Sequence, residues 1–387
     1  MPAFPFPGFH HVLIAIFAAL GSLCGTSGGW ECLAEEGVPE RGEIRFLGEL
    51  SLRMENSSNV FQDHSGREDL MVRPAAKLSL DFGRYWTIGY TGELSSYVHT
   101  SDLLSQWHEA YLFLNPSWGS SGQNELLFEI SVGYLKNLED YRNLDTLQPG
   151  LLLSVDLDLS ESLRWFGSVR GTLRRFAHDE SSDTLDAWAR TGLTLSVLGG
   201  WWTLRAAYGY RYYPNPSDAL TDRQDQQLEV GTHYSRGMWR NAELQLDYSY
   251  SYAFGPCGTL ERMLTEQQLT YLGFDFLFSG HQGAVSLKQT LGEHVSIGGS
   301  VLLSSRRYNG WPAYDSAQNA LGQDRRDLRF GPLAYLAYSW STPPEENPSR
   351  RSTAGFQLQY EYLQQESNSR WFAASSHLVS LSLWMAL

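Results

Sequence analysis

The sequence predicts an all-β chain, a transmembrane antiparallel up-and-down β-barrel of about 16 strands. Three observations carry this expectation. First, the segment His377 to Leu387 puts Val379, Leu381, Leu383, Met385 and Leu387 on one face and mainly small or polar residues on the other, which is the period of a strand. In hydrocarbon such a strand needs backbone partners on both edges, and only a closed barrel supplies them for every strand. Second, the composition is 42% hydrophobic, 13% aromatic and 19% charged, with a mean hydropathy of -0.33. That is too polar for a helical membrane protein and too apolar for a disordered one, whereas alternating lipid-facing and lumen-facing residues average to such a value. Third, from about Glu43 onward the chain repeats one unit of strand, tight turn, strand and longer polar loop, with no domain break.

The elements follow in order. Val12 to Leu23 is a continuous apolar run, too short to span a bilayer and of the length of a secretory signal core. No Lys or Arg precedes it, only His10 and His11. Two cleavage points are open, after Ser27 and after Ala34, the latter closing the small-x-small sequence Cys32-Leu33-Ala34. Cys24 follows Leu23 rather than a small residue, which argues against acylation. Cleavage after Ala34 leaves Cys257 as the one cysteine, which excludes a disulfide framework.

Glu43 to Met54 alternates Ile44, Phe46, Leu50 and Leu52 against Arg45, Glu49 and Arg53. Glu125 to Tyr134 alternates Leu126, Phe128, Ile130 and Val132 against Glu129 and Ser131, and Leu151 to Leu159 sets five aliphatic residues against Ser154, Asp156 and Asp158. Each is a two-faced strand. Short turns are expected at Phe82-Gly-Arg-Tyr, Ser160-Glu-Ser, Leu198-Gly-Gly-Trp and Arg236-Gly-Met, and polar loops near 55–71, 137–147, 177–185, 213–226, 254–264 and 308–326. Between Gln267 and Arg306 there is one alternating run more than an even strand number allows. The expected repair merges Leu269 to Phe278 with Ala284 to Leu291 into one bulged strand and places the turn at Gly292-Glu-His294, with about 14 or 18 strands as the alternatives.

Aromatic placement orients the strands. Leu244, Leu246, Tyr248, Tyr250 and Tyr252 change from aliphatic to tyrosine toward a long loop, as do Leu204 to Tyr212 and Leu358 to Tyr362, while Trp86, Trp165, Trp202 and Trp384 sit beside short turns or the C-terminal end. Tyr and Trp concentrate where an apolar ring and a polar tip are both satisfied, at the membrane–water interface.

With these features the chain resembles an outer-membrane β-barrel protein, porin-like, of a diderm bacterium, over its whole length after the signal. The resemblance implies a signal peptide and leader over 1–34, a short periplasmic segment over 35–42 and the barrel over 43–387. It implies location in the bacterial outer membrane after export, with outer-membrane lipids and lipopolysaccharide, the barrel-assembly machinery and export or secretion components as partners. His377 to Leu387 resembles the terminal signal that this machinery reads. No plug-sized segment precedes the first strand, so a TonB-dependent receptor is not expected.

The inward parity holds the candidate site. Arg164, Arg170 and Arg174 on one strand, Arg190 on the next, and Arg205 and Arg211 on a third share it, and Trp188, Phe166 and Tyr213 join them. Asp156 and Asp158 flank them on one side and Glu229, Glu243 and Asp247 on the other, with Glu49, Glu93 and Glu129 further round. Opposite charges across a pore create a transverse field that orients polar solutes; the same residues also fill a narrow barrel as ion-paired packing. The expected function is an outer-membrane channel for hydrophilic solutes or for polymer (polysaccharide) export. The alternatives are a structural or adhesive barrel with a closed, ion-paired lumen, and an outer-membrane hydrolase.

Enzyme signatures are thin, with no Gly-x-Ser-x-Gly, His-Glu-x-x-His, phosphate-binding glycine loop or Cys-x-x-Cys, so no catalysis, metal or cofactor is expected. His178-Asp-Glu-Ser181 with Asp183 and Asp186 is the one imaginable rim site. The net charge of -14 argues against nucleic acid.

Overall fold

A computed structural model describes residues 44–58, 68–83, 85–100, 104–119, 124–138, 142, 144–178, 180, 183–214, 224–239, 241–255, 278–315, 319–341 and 353–386. The signal, the leader, the periplasmic segment, Cys257 and 267–277 lie outside the described residues.

The strands are β1 (Ile44–Ser57), β2 (Asp69–Phe82), β3 (Trp86–Tyr97), β4 (Ser105–Leu114), β5 (Ser117–Trp118), β6 (Asn124–Asn137), β7 (Thr146–Ser160), β8 (Leu163–Phe176), β9 (Thr184–Val197), β10 (Gly200–Tyr212), β11 (Gln224–Gly237), β12 (Ala242–Phe254), β13 (Ser279–Leu291), β14 (Val295–Tyr314), β15 (Ala320–Ser341), β16 (Thr353–Ser367) and β17 (Ala374–Ala386). Apart from β4 and β5, which both pair with β6, each pairs antiparallel with its neighbours in sequence, and β1 also pairs with β17, with Leu52 opposite Leu383. The two-residue β5 continues the β4 edge against β6, so the wall is a closed barrel of 16 strands. Closure gives every strand a ladder on both sides, which is the condition for backbone in lipid.

Turn chemistry fixes the register. At the β9–β10 hairpin, Leu198 (φ 54°) and Gly199 (φ 71°) form a two-residue connection with Val197 paired to Gly200; two positive φ angles match the right-handed strand twist. The turn expected at Gly292-Glu-His294 joins β13 to β14.

Register sends alternate residues to opposite faces. Leu153, Val169, Leu204 and Leu246 lie outward and exposed, and Leu195 lies outward between Leu163 and Trp202. An apolar band of this kind is suited to lipid rather than to water. Tyr208, Tyr248, Tyr252 and Tyr360 are exposed toward the loop ends and Trp86 and Trp202 beside the turns.

Two expectations are corrected. The stretch 308–326 is not mainly a loop: β14 and β15 run through it as an extended hairpin, with bulges between Tyr308, Pro312 and Tyr314. Its strand period is masked because it rises past the ends of neighbouring strands and has no aliphatic lipid face, and its buried face carries Tyr308, Trp311 and Ala313. Trp384 is not a belt residue; it pairs with Ser51 and Gly355 on the inward face, and its ring occupies the space that a side chain at Gly355 would take.

Candidate functional site

The site is built on the inward parity of β3 to β14. Along β8 the even-numbered residues point inward, and register carries this face to neighbouring strands: Arg170 opposes Leu152 of β7 and Trp188 of β9, and Arg190 opposes Ser168 of β8 and Ala207 of β10. Arg205 lies between Gly192 and Gly231. Gly231 leaves room for the Arg205 guanidinium beside the backbone, and the space at Gly192 is taken by the Phe166 ring.

These residues surround a lumen cavity of about 1110 Å³. One wall is basic, with Arg170, Arg190 and Arg205; the adjoining wall is apolar, with Trp107, Leu127 and Leu152; Glu93 and Glu229 supply negative charge. Arg205 approaches Glu229 at 3.6 Å. Among the described residues no carboxylate lies within salt-bridge distance of Arg170 or Arg190. Two guanidiniums thus face the cavity beside Trp188 with no carboxylate in salt-bridge distance, while Arg170 interacts at longer range with Glu129 of β6.

The remaining sequence-selected residues divide by height. Near the short turn at 161–162, Arg164 pairs with Asp156 and lies 3.7 Å from Asp158, both pairs being partly exposed. Asp247 meets His233 at 2.8 Å, and Glu243 accepts hydrogen bonds from Ser235 at 2.7 Å and Gln245 at 2.9 Å. The acidic residues on the flanks therefore bind lateral neighbours. Toward the loops, Asp186 accepts from Arg174 and, at 2.7 Å, from Arg211, all three buried. Tyr213 is buried and donates to Asp225 at 2.7 Å. Phe166 keeps its inward position opposite Asp156 and against Gly192.

Of the rim group His178 to Asp186, Asp183 accepts the Phe176 N–H at 2.8 Å, and Asp186 is held by two arginines. Asp179 and Ser181 lie outside the described residues. No metal-holding group of three His, Cys, Asp or Glu side chains occurs among the described residues. Ser376 is buried on the inward face while His377 is exposed on the outward one, so adjacency in sequence does not bring them together.

Sequence reasoning missed the roof of the cavity. Leu135 of β6 and Phe176 of β8 form one buried cluster with Tyr308 and Trp311 of β14, and Trp107, Phe278 and Phe372 pack against it. In the barrel order β6 and β14 stand on opposite walls, so the cluster crosses the lumen. Arg325 of β15 anchors it: its guanidinium lies 4.3 Å from the Tyr308 ring centroid, 4.9 Å from that of Trp311 and 3.4 Å from that of Phe372. Asp327 balances its charge. Cation–π contacts and a desolvated pair reinforce each other here. Arg306, of the same inward parity, stacks on Phe278 at 4.3 Å and lines the cavity. The available signal was the shared parity of Arg306 with Tyr308 and of Arg325 with Asp327.

The fold defines the class of protein. No protein-family model matches the chain, and no curated protein matches it. Among solved structures it is similar to a bacterial polysaccharide outer membrane secretin, with a TM-score of 0.50 at 10% identity over 88% of this chain and 97% of that one. It is also similar to OccAB1 of Acinetobacter baumannii, with a TM-score of 0.51 at 7% identity over 93% of this chain and 99% of that one. Such likenesses establish the fold, that of an outer-membrane β-barrel.

Proposed function

We propose that the chain is an outer-membrane channel whose charged lumen passes hydrophilic, anionic solutes. The observation that carries this reading is the pair Arg170 and Arg190, facing a cavity of about 1110 Å³ without a carboxylate in salt-bridge distance among the described residues. A lumen filled as packing would be expected to bury and pair each of its arginines, as happens with Arg325 in the roof and Arg211 beneath it. Here the fixed positive charge remains available to a passing carboxylate, sulfate or phosphate.

A second reading within the channel class is export of an acidic polysaccharide. The Trp107 and Trp188 rings beside the arginines suit it, since a sugar ring presents an apolar face and a polar edge. The fold likeness to a polysaccharide outer membrane secretin points the same way.

Planar-bilayer conductance tests the proposal. Replacing Arg170, Arg190 and Arg205 together by Gln should shift ion selectivity toward cations, because the acidic residues of the lumen stay. The expected stability loss is about 0–1 kcal/mol per arginine, as for hydrated pairs. A wild type without channel activity, or a triple variant with unchanged selectivity and a loosened barrel, would favour the structural barrel.

A further inference from the structure

Three histidines stand on the outward face near the loop ends of their strands: His108 on β4, His281 on β13 and His377 on β17. Each has Nδ1 beside the hydroxyl of an outward tyrosine on the adjacent strand, Tyr90 to His108 at 2.6 Å, Tyr248 to His281 at 2.8 Å and Tyr360 to His377 at 2.8 Å. The offset is the same each time. His108 is in register with Gly92, His281 with Tyr250 and His377 with Tyr362, in every case two residues beyond the bonded tyrosine. The lumen-facing His233 takes the carboxylate of Asp247 instead.

In the tautomer in which the phenol donates to Nδ1, the ring proton sits on Nε2. That Nε2–H has no partner among the described residues. In the interface such an N–H takes its acceptor from water or from a lipid headgroup oxygen. At about 3.3 Å per residue, the three rings lie on the order of 10 Å inside the loop ends of their strands, within the tyrosine zone of the interface. Cations stand closer to the edge at two of the sites. His108 is in register with Tyr134 of β6, and Lys136 lies two residues further out on the same face. His281 is in register with Ser305 of β14, and Arg307 lies two residues further out, held by Asp324 at 2.9 Å.

We infer that the three Tyr–His pairs are binding sites for the phosphate-bearing headgroup of an outer-leaflet glycolipid, with Nε2–H donating to a phosphate oxygen and Lys136 adding charge at the His108 site. The sites do not depend on the lumen, and a sealed barrel would bind the lipid equally well.

Native mass spectrometry of the full chain folded in detergent, titrated with bisphosphorylated lipid A and with its dephosphorylated form, tests this. Wild type should hold up to three phosphorylated lipids. His108→Phe, His281→Phe and His377→Phe together keep the ring and lose the donor, and should weaken binding about tenfold per site, the worth of one charge-assisted hydrogen bond. Tyr90→Phe, Tyr248→Phe and Tyr360→Phe together should fall between. A triple histidine variant that binds like wild type, or a dephosphorylated lipid that binds as tightly as the phosphorylated one, overturns the inference. Heat-modifiable migration reports barrel closure. If the triple variant fails to close, the single variants serve, each expected to remove one bound lipid.

Discussion

Near the short turns of the barrel, Arg164 meets Asp156 with side chains 43% and 30% exposed; near the loops, Arg211 meets Asp186 with side chains 0% and 6% exposed. Both are arginine–aspartate pairs of the same inward parity, two strands apart. Height along the strand separates them, because the side chains are open near the turns and covered by the aromatic roof near the loops. An exposed pair exchanges water for a partner at little net gain, whereas a buried pair cannot lose one member without stranding the other. The same sequence pattern thus makes an exposed pair at one level and a buried fastening at another.

The largest effect should come from Asp186→Ala, which leaves Arg174 and Arg211 buried without their shared carboxylate. A loss of about 3 to 5 kcal/mol is expected, read as a lower urea midpoint or a lower temperature for loss of the compact band in SDS. A variant as stable as wild type would show that water reaches this level and would erase the contrast.

Next in size is Trp311→Ala. Removing the indole from Tyr308, Arg325 and Phe372 should cost about 3 kcal/mol and weaken the crossing of the lumen. Single-channel conductance should rise. Lost stability with unchanged conductance would mean that the cluster braces the mouth without narrowing it.

The smallest effect sharpens the other side of the comparison. Asp156→Asn should change stability by only about 0–1 kcal/mol, because Arg164 is already 43% exposed and has Asp158 nearby. A loss as large as that for Asp186→Ala would place the turn end of the lumen in the dry, structural class.

Strand existence, facing and closure were legible because they rest on a period of two. Leu153, Leu204 and Leu246 could be assigned to lipid from parity alone, and parity also collected the six arginines of β8 to β10. Height and burial were not legible. Nothing in the spacing distinguishes Arg211, buried under a roof, from Arg190, facing a cavity. Asp186 read as an acidic loop residue because its two arginine partners are 12 and 25 residues away in sequence. The β14–β15 hairpin was read as a loop because beyond its neighbours' ends it has no lipid face, so the aliphatic half of the alternation disappears while the backbone pairing continues. Trp384 misled for a related reason: residue type was allowed to outweigh the parity of its own strand.

The seam between β1 and β17 sets how the chain can fold. There the His377 N–H bonds the Ser58 hydroxyl across 319 residues of sequence, while almost every other ladder joins strands that are consecutive in the chain. Local hairpins zip at little entropic cost, but the last ladder must close one very long loop before it returns any bonding energy. Until it does, the growing sheet carries two naked edges, each able to capture another chain. The meeting of the first strand with the last is therefore expected to be the slow step, and a change that slows this encounter without weakening any finished contact should lower yield while leaving the stability of the completed molecule untouched.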